Sequence, residues 1–297
     1  MISLEQYTQV AHRAVIDTAQ AYHLQATTVE GLPLSVPCSY QILEPGFRPF
    51  RAGKASPQEL QNELDNVLGQ AEARGINAGI EGQEAIRKLS VQLGLGIDCS
   101  NFAYRCLTLL HERVGIGEYT DTVFRSASEI RDLHASKESW AARDQDGSAR
   151  PLSAPEAEKL DAADLLDTTW IASVFGKDPE FIIGSHHMSN ADAAQPLHAA
   201  EVLPGDMIAF NKAGNGVVSH VAVVESTDTT SDGSMHMDFW HAWHTRDFQS
   251  GLRRDNLQTD GHSFTWSHEG LADPTRYQSH FFCRPLGLAA LTASLTN

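Results

Sequence analysis

Positive charge and long apolar runs are both scarce in this chain. It has 22 lysines and arginines against 38 aspartates and glutamates among 297 residues, a formal net charge of −16. Nucleic acid and anionic lipid need a basic protein surface to hold their phosphate groups. No window approaches the ~20 consecutive apolar residues that span a bilayer. We therefore expect neither nucleic acid nor a membrane as a partner.

The start of the chain also lacks the features of a secretory leader. Residues 1–25 have no basic beginning and no continuous apolar run, both of which a signal peptide needs. From the sequence we expect a protein that stays in the cytoplasm or is exported by a non-classical route. The hydrophobic content of 41% is typical of a globular protein with one core and an accessory layer.

Cysteine is rare, with four residues at positions 38, 99, 106 and 283. A chain of this size does not need disulfides to stabilise its core. Cys99 and Cys106 are seven residues apart on one predicted helix, a rise of about 10 Å, which is too far for a disulfide. All four are predicted to be thiols, three of them small buried core residues.

The segment GIDCSNFAYRCL (96–107) carries the most chemical information. Its apolar residues recur at three- and four-residue spacing, which predicts a helix from Cys99 to about Arg113 with Asp98 as N-cap. A thiol in the first turn lies at the positive end of the helix dipole, beside backbone N–H groups without helical partners. Both effects favour the thiolate, so Cys99 is a candidate nucleophile.

Other capping and periodicity signals predict the remaining elements. Helices are expected over residues 4–22, from Ser56 to about Arg74, over 82–93 and over 156–175. Strands are expected at MIAF (207–210), VVSHVAVV (217–224), HMDFWHAW (236–243) and SHFFCRPL (279–286). Helices followed by antiparallel strands indicate an α+β fold, with the Cys99 helix packed on the sheet.

Two histidines on neighbouring predicted strands complete the candidate site. By strand alternation His220 shares a face with Val218 and Ala222. His241 lies on the next strand, so the two imidazoles are expected side by side and both toward the start of the Cys99 helix. His220 would be the general base and His241 the residue that orients it.

The remaining candidates in the site are near neighbours of these three residues. The Cys99 N–H and nearby donors would form an oxyanion hole, with Asp98 and Ser100 as the oxyanion or substrate-binding residues. His244 and Asp238 compete with His241 for the orienting role. Both are an odd number of residues from His241, which places them on the other face of an unbroken strand and favours His241.

These segments resemble the NlpC-type cell-wall cysteine peptidases. GIDCSNF is similar to the family's DCSG[FL] signature and LPGDMIAF to its PGD strand entry; SHVAVV and FWHA are similar to its two histidine strands. The resemblance covers residues 96–110 and 203–243. It implies a papain-like fold and a cysteine peptidase or amidase without a cofactor. It also implies a Cys99, His220, His241 triad and a peptide substrate derived from peptidoglycan.

The domain organisation follows from the extent of that resemblance. Residues 1–80 would form a helical N-terminal extension, and residues 81–297 a papain-like hydrolase domain. An insertion at about 114–202 would lie between the nucleophile helix and the sheet. Asn101 stands where the family usually has glycine, and SVQLGLG replaces its aromatic lead-in. The family's oxyanion tyrosine is therefore not assigned, and Tyr40 is considered without being chosen.

Two other function classes stay open at this point. One is an inactive papain-like scaffold that serves as a binding or regulatory module. The other is a zinc-dependent hydrolase, although neither candidate ligand set has a recognised spacing. The two sets are His186, His187 and His198, and His236, His241 and His244. No metal ligand is assigned.

Overall fold

The computed structural model describes residues 2–28, 30–40, 53, 55–74, 82–117, 119, 142–143, 149–150, 184–191, 193–231, 233–243 and 251–296. Much of the predicted insertion at 114–202, including the helix predicted over 156–175, lies outside the described residues. The boundary near residue 80 stays a prediction.

Among the described residues, four longer helices precede the main sheet. They are α1 (Leu4–Ala21), α2 (Pro57–Ala73), α3 (Gln83–Leu93) and α4 (Cys99–Val114). Each lies within two residues of its predicted bounds. Local chemistry explains this accuracy, since the Ser56 N–H donates to the Glu59 carboxylate at 2.8 Å in a capping box at the start of α2. The later helices are α5 (Ser185–Met188), a 3-10 turn (Ala199–Glu201), α6 (Glu269–Ala272) and α7 (Leu286–Thr296).

The main sheet has seven antiparallel strands. They are β5 (Ala194–Leu197), β6 (Met207–Lys212), β7 (Val218–Thr229), β8 (Met235–Trp243), β9 (Gly251–Thr259), β10 (Phe264–Trp266) and β11 (Tyr277–Pro285). Their spatial order is β10-β9-β8-β7-β6-β11-β5. The four predicted strands are confirmed as β6, β7, β8 and β11. The smaller pairs are β1 (His23–Thr27) with β2 (Pro33–Pro37), and β3 (Ala142–Arg143) with β4 (Ala149–Arg150).

Both faces of the main sheet are covered by apolar side chains. Helices α1 and α4 pack on the face that carries Val221, Val223 and Ala242. The opposite face carries a second cluster that includes Phe239 and Trp243. Full burial of a side chain such as Val221 or Phe239 contributes about 2 kcal/mol to folding. The predicted α+β fold, with the Cys99 helix against an antiparallel sheet, is confirmed.

A β-bulge at the beginning of β7 decides which way His220 points. Phe210 pairs with His220, but the next residue, Asn211, pairs with Val218, so Ser219 is an extra residue. Val218 therefore packs with the first cluster, whereas His220 contacts Phe210 of the second. The prediction that Val218 and His220 share a face is wrong, because one inserted residue reverses the alternation.

A buried ion pair joins the start of β6 to the end of β11. The Arg284 guanidinium lies 2.7 Å from Oδ1 of Asp206, the acidic residue of the PGD segment, and donates to the Thr292 hydroxyl of α7. Burial raises the pKa of Asp206 to about 6, against the effect of Arg284. This aspartate anchors β6 to β11 and α7.

Two further sequence predictions concern cysteines and membrane spans. All four cysteines are free thiols, as predicted, and all four are buried, whereas three were expected to be buried core residues. Among the described residues, no helix has the length and apolar character needed to cross a membrane.

Candidate active site

The start of α4 holds Cys99 in a defined position. Asp98 is the N-cap, as predicted, and its Oδ1 accepts the Asn101 N–H at 2.7 Å and the Ser100 hydroxyl at 2.9 Å. Cys99 is the first helical residue and is 5% exposed. The Asp98 carboxylate therefore acts on the first turn of the helix, and Ser100 supports that carboxylate with its hydroxyl.

Tyr40 lies against the candidate nucleophile. An isolated bridge pairs Tyr40 with Ile97, and the Ile97 N–H donates to the Ser39 carbonyl at 3.0 Å. This places the half-buried Tyr40 side chain in hydrogen-bonding contact with Cys99. Burial raises the pKa of Tyr40 well above its usual value, and the neighbouring Cys99 and Asp98 add to the increase. The phenol therefore stays protonated and is a hydrogen-bond donor.

The two predicted histidines contact each other directly. His220 Nε2 and His241 Nδ1 are 2.8 Å apart, and the side chains are almost fully buried. The prediction that they lie side by side is confirmed. Their rings contact the second cluster, on the sheet face opposite the body of α4: the Trp243 ring is 5.0 Å from the His220 ring and the Phe239 ring is 5.4 Å from the His241 ring.

Tyr277 is close to both parts of the site. Its ring centroid is 6.2 Å from that of His220. Burial raises the pKa of the Tyr277 phenol, and the charge of Cys99 raises it further. The hydrogen bonds therefore join His220 to His241 and Cys99 to Tyr40, with Tyr277 near both pairs. A direct pairing of Cys99 with His220 stays a prediction.

The histidine pair continues to a carboxylate on β9. His241 Nε2 is 2.8 Å from Asp255 Oδ2, and Asp255 is 6% exposed. The Arg253 guanidinium donates to Asp255 Oδ1 at 2.8 Å, and its Nε lies 2.6 Å from Oδ2. Asp255 therefore pairs with the imidazole of His241 and the permanently charged guanidinium of Arg253.

Burial controls the charge state of these groups. Burial lowers the pKa of His220 well below its usual value, and His241, Arg276 and His268 lower it further through their charges. Burial also lowers the pKa of His241, although the hydrogen bond to Asp255 opposes it. Both imidazoles are therefore neutral at pH 7.

For Asp255, the carboxylate that follows His241 in the series of hydrogen bonds, its partners outweigh the effect of burial on the pKa. Burial alone would raise the pKa of Asp255, but the hydrogen bonds from His241 and Arg253 outweigh it and lower the pKa below its ordinary value. Asp255 is therefore ionised at neutral pH, and the site combines two neutral imidazoles with one paired carboxylate.

Comparison with known families identifies the central part of the chain. Residues 91–269 match a family model described as "Putative amidase domain". The chain belongs to this amidase family. The matched range of the amidase domain contains Cys99, His220, His241 and Asp255. No curated protein and no solved structure matches the chain.

Family membership supports amide hydrolysis, and hence a hydrolase, at the level of the family. It supports an amidase-like family rather than the NlpC-type peptidases in particular. The region before residue 91 of the amidase lies outside the match, although α1 shares the first core cluster with α4.

The metal alternative concerns the histidine-rich segments of the amidase. Within the described ranges, no group of three or more histidine, cysteine, aspartate or glutamate side chains is arranged to hold a metal ion. The ring centroids of His186 and His187 on α5 are 3.6 Å apart, with the ring planes tilted by 47°. His244, a member of the second candidate set, lies outside the described residues.

Sequence reasoning missed Asp255 and considered Tyr40 without assigning it to the site. Asp255 lies in GLRRDNLQT, whose charged residues hide the β9 strand from a hydropathy pattern. The available signal was chemical, because a buried His241 needs a partner for its second nitrogen. Tyr40 lies in an irregular connection, where its residue type was the only signal.

Proposed function

We propose that this amidase hydrolyses amide bonds with Cys99 as nucleophile, His220 as general base and then acid, and His241 as the orienting residue. The observation that carries the proposal is the buried 2.8 Å hydrogen bond between His220 Nε2 and His241 Nδ1. A base oriented by a second polar side chain is what a cysteine hydrolase requires. This pair lies within the same family match as a cysteine at a helix start.

The hydrogen bond also determines which nitrogen is left for the cysteine. His241 occupies Nε2 of His220, which leaves Nδ1 as the nitrogen that can serve Cys99. In the proposed reaction Nδ1 accepts the Cys99 proton while the sulfur attacks the substrate carbonyl carbon. The resulting imidazolium then protonates the leaving amine as the C–N bond breaks, which leaves a thioester on Cys99.

Water completes the cycle. His220 Nδ1 takes a proton from the water that attacks the thioester carbonyl. The C–S bond then breaks, the acid product leaves, and the proton returns to the Cys99 sulfur. No cofactor enters this scheme.

The start of α4 supplies donors for the developing oxyanion. We assign this role to the first-turn N–H groups of Cys99 and Ser100, held in place by the Asp98 cap, together with the Tyr40 hydroxyl. Preorganised donors of this kind stabilise the tetrahedral intermediate more than the ground state. The contact between Tyr40 and Cys99 supports this assignment.

We also propose a papain-like fold and a peptide substrate derived from peptidoglycan. A nucleophile helix on an antiparallel sheet is compatible with a papain-like arrangement. The resemblance to NlpC-type peptidases makes stem peptides of peptidoglycan the first substrates to test. The exposed Arg276 lies 4.2 Å from the Trp243 ring, near His220, and suits a substrate carboxylate.

Activity assays on matched cysteine variants test this proposal. The purified protein is incubated with synthetic stem peptides and simple amides, and new amines are quantified by mass spectrometry. Cys99→Ala should abolish turnover, whereas Cys106→Ala, a buried thiol on the inner face of the same helix, should retain it. Equal activity of Cys99→Ala and the parent would overturn the proposal. Loss of activity with a chelator and not with Cys99→Ala would favour the zinc hydrolase.

Alkylation separates an enzyme without its substrate from an inactive binding module. Iodoacetamide labelling of Cys99 across pH, with the modified site assigned by mass spectrometry, measures thiol reactivity directly. We expect faster modification at pH 6 than for an unperturbed thiol. A rate no faster than that reference would remove the main support for a nucleophile.

A further inference from the structure

We infer that Asp255 is a positioning residue that sets the tautomers of His241 and His220, so that the nitrogen of His220 not bound to His241 is an unprotonated Nδ1. The inference rests on the proposed function and extends it by a fourth residue. Asp255 would not contact the substrate and would act through two consecutive rings.

The first step follows from the chemistry of a carboxylate. An ionised aspartate accepts hydrogen bonds and cannot donate them. Asp255 is kept ionised by Arg253, whose guanidinium lies within 2.8 Å of both carboxylate oxygens. The short contact between His241 Nε2 and Asp255 Oδ2 therefore requires the proton of His241 to be on Nε2.

The second step passes this constraint to His220. A neutral imidazole with its proton on Nε2 has a lone pair on Nδ1. The contact between His241 Nδ1 and His220 Nε2 at 2.8 Å then requires a proton on His220 Nε2. Nδ1 of His220 consequently carries a lone pair, which is the form that can accept the thiol proton of Cys99.

Burial prevents water from replacing the hydrogen-bond partners of His241 and Asp255. His241 has no exposed surface and Asp255 is 6% exposed. Phe239 packs edge-on against His241 at 5.4 Å on the same strand face. A buried polar group without its partner is costly because water cannot replace that partner, so the arrangement strongly favours one direction of donation.

The charges around the chain of hydrogen bonds are consistent with this direction. The charged and titratable groups that act on the two rings are Arg253, Asp255, His268 and Arg276. The two arginines disfavour an additional proton on the rings, and Asp255 is the negatively charged group among these four. Two neutral imidazoles beside one carboxylate is therefore the ground state of this site.

Nitrogen NMR of the resting protein tests the tautomers without any activity. We expect His220 and His241 in ¹⁵N-histidine-labelled protein both to be neutral with the proton on Nε2, and spectra of His220→Gln and His241→Gln assign the signals. A proton on Nδ1 of either ring in the parent protein would overturn the inference. Because this readout needs no substrate, it stands or falls separately from Cys99 catalysis.

Variants of Asp255 test the consequence for turnover. In Asp255→Asn the introduced side-chain amide can donate to His241 Nε2, which reverses both tautomers, and kcat should fall about 10³-fold with KM unchanged. Asp255→Glu should restore part of kcat. Asp238→Asn is the matched control, because Asp238 pairs with Arg254 and not with the two site histidines, and it should keep the parent rate.

The two measurements together decide the outcome. A folded Asp255→Asn protein with the parent kcat or the parent tautomers contradicts the inference. A parent protein with the expected tautomers but turnover independent of Cys99 contradicts the proposed function alone.

Discussion

The side-chain amide of Asn101 in the first turn of α4 is hydrogen-bonded to the end of α1. Its Nδ2 donates to the Tyr22 hydroxyl oxygen at 3.1 Å and to the Ala55 carbonyl at 3.0 Å. The Tyr22 hydroxyl donates to the same carbonyl at 3.1 Å. Tyr22 is the C-cap of α1, so this buried network connects two helices directly behind Cys99. A glycine at this position could not make these bonds.

Loss of the Asn101 amide should destabilise the protein. In Asn101→Ala the Tyr22 hydroxyl loses a donor and the Ala55 carbonyl keeps one of its two, at an expected cost of about 1–3 kcal/mol in the free energy of unfolding. Urea denaturation measures this change. The control is Asn62→Ala on the exposed side of α2, which should change stability by no more than ~0.5 kcal/mol. Equal midpoints for the two variants would contradict the structural role of Asn101.

Removal of the Tyr40 hydroxyl should slow the chemical step. In the proposed mechanism this phenol donates to the oxyanion, so Tyr40→Phe should lower kcat about 10²-fold and leave KM nearly unchanged. Steady-state kinetics on the best substrate give both values. Tyr22→Phe removes a buried hydroxyl that does not serve the nucleophile and should affect stability more than kcat. An unchanged kcat in Tyr40→Phe would exclude this tyrosine as an oxyanion donor.

The activity should persist in mild acid. Burial lowers the pKa of His220 well below 6.5, so the neutral base survives as the pH falls through 6.5. The acid limb of kcat/KM should therefore lie below pH 6.5, at the depressed pKa of His220. A pH–rate profile measures it. An acid limb centred at 6.5 or above would show that the imidazole is not desolvated in the free enzyme.

The lowered pKa values of the buried histidines should also make the folded protein less stable in acid. In the unfolded chain the buried histidines take up a proton near pH 6.5, whereas in the folded protein they resist it, so the free energy of unfolding falls as the pH drops below about 6.5. His220, His241 and His280 all have lowered pKa values, and that of His280 falls to about 4. His220→Gln should weaken this pH dependence in urea titrations between pH 7 and pH 5. An identical dependence in the variant would contradict a buried, neutral His220.

Most helices and the central strands were predictable because their signals are local. The Ser56 capping box and the Asp98 cap lie within three residues of the groups they bind. The strand pattern around His241 likewise gave its position beside His220. By contrast, β9 was missed, because its sequence, GLRRDNLQT, has several charged residues and few apolar ones. The bulge at Ser219 was missed since one extra residue leaves no compositional trace.

The sequence alone determined a cysteine at a capped helix start and two histidines on successive strands, because helix caps and strand alternation depend on neighbouring residues. Tertiary structure alone decided that Tyr40 contacts Cys99 and that Asp255 completes the chain through His241 to His220. These partners come from chain segments distant in sequence, and burial selects them because an unpaired polar group in a core is costly. Their identity therefore depends on how the strands pair in space.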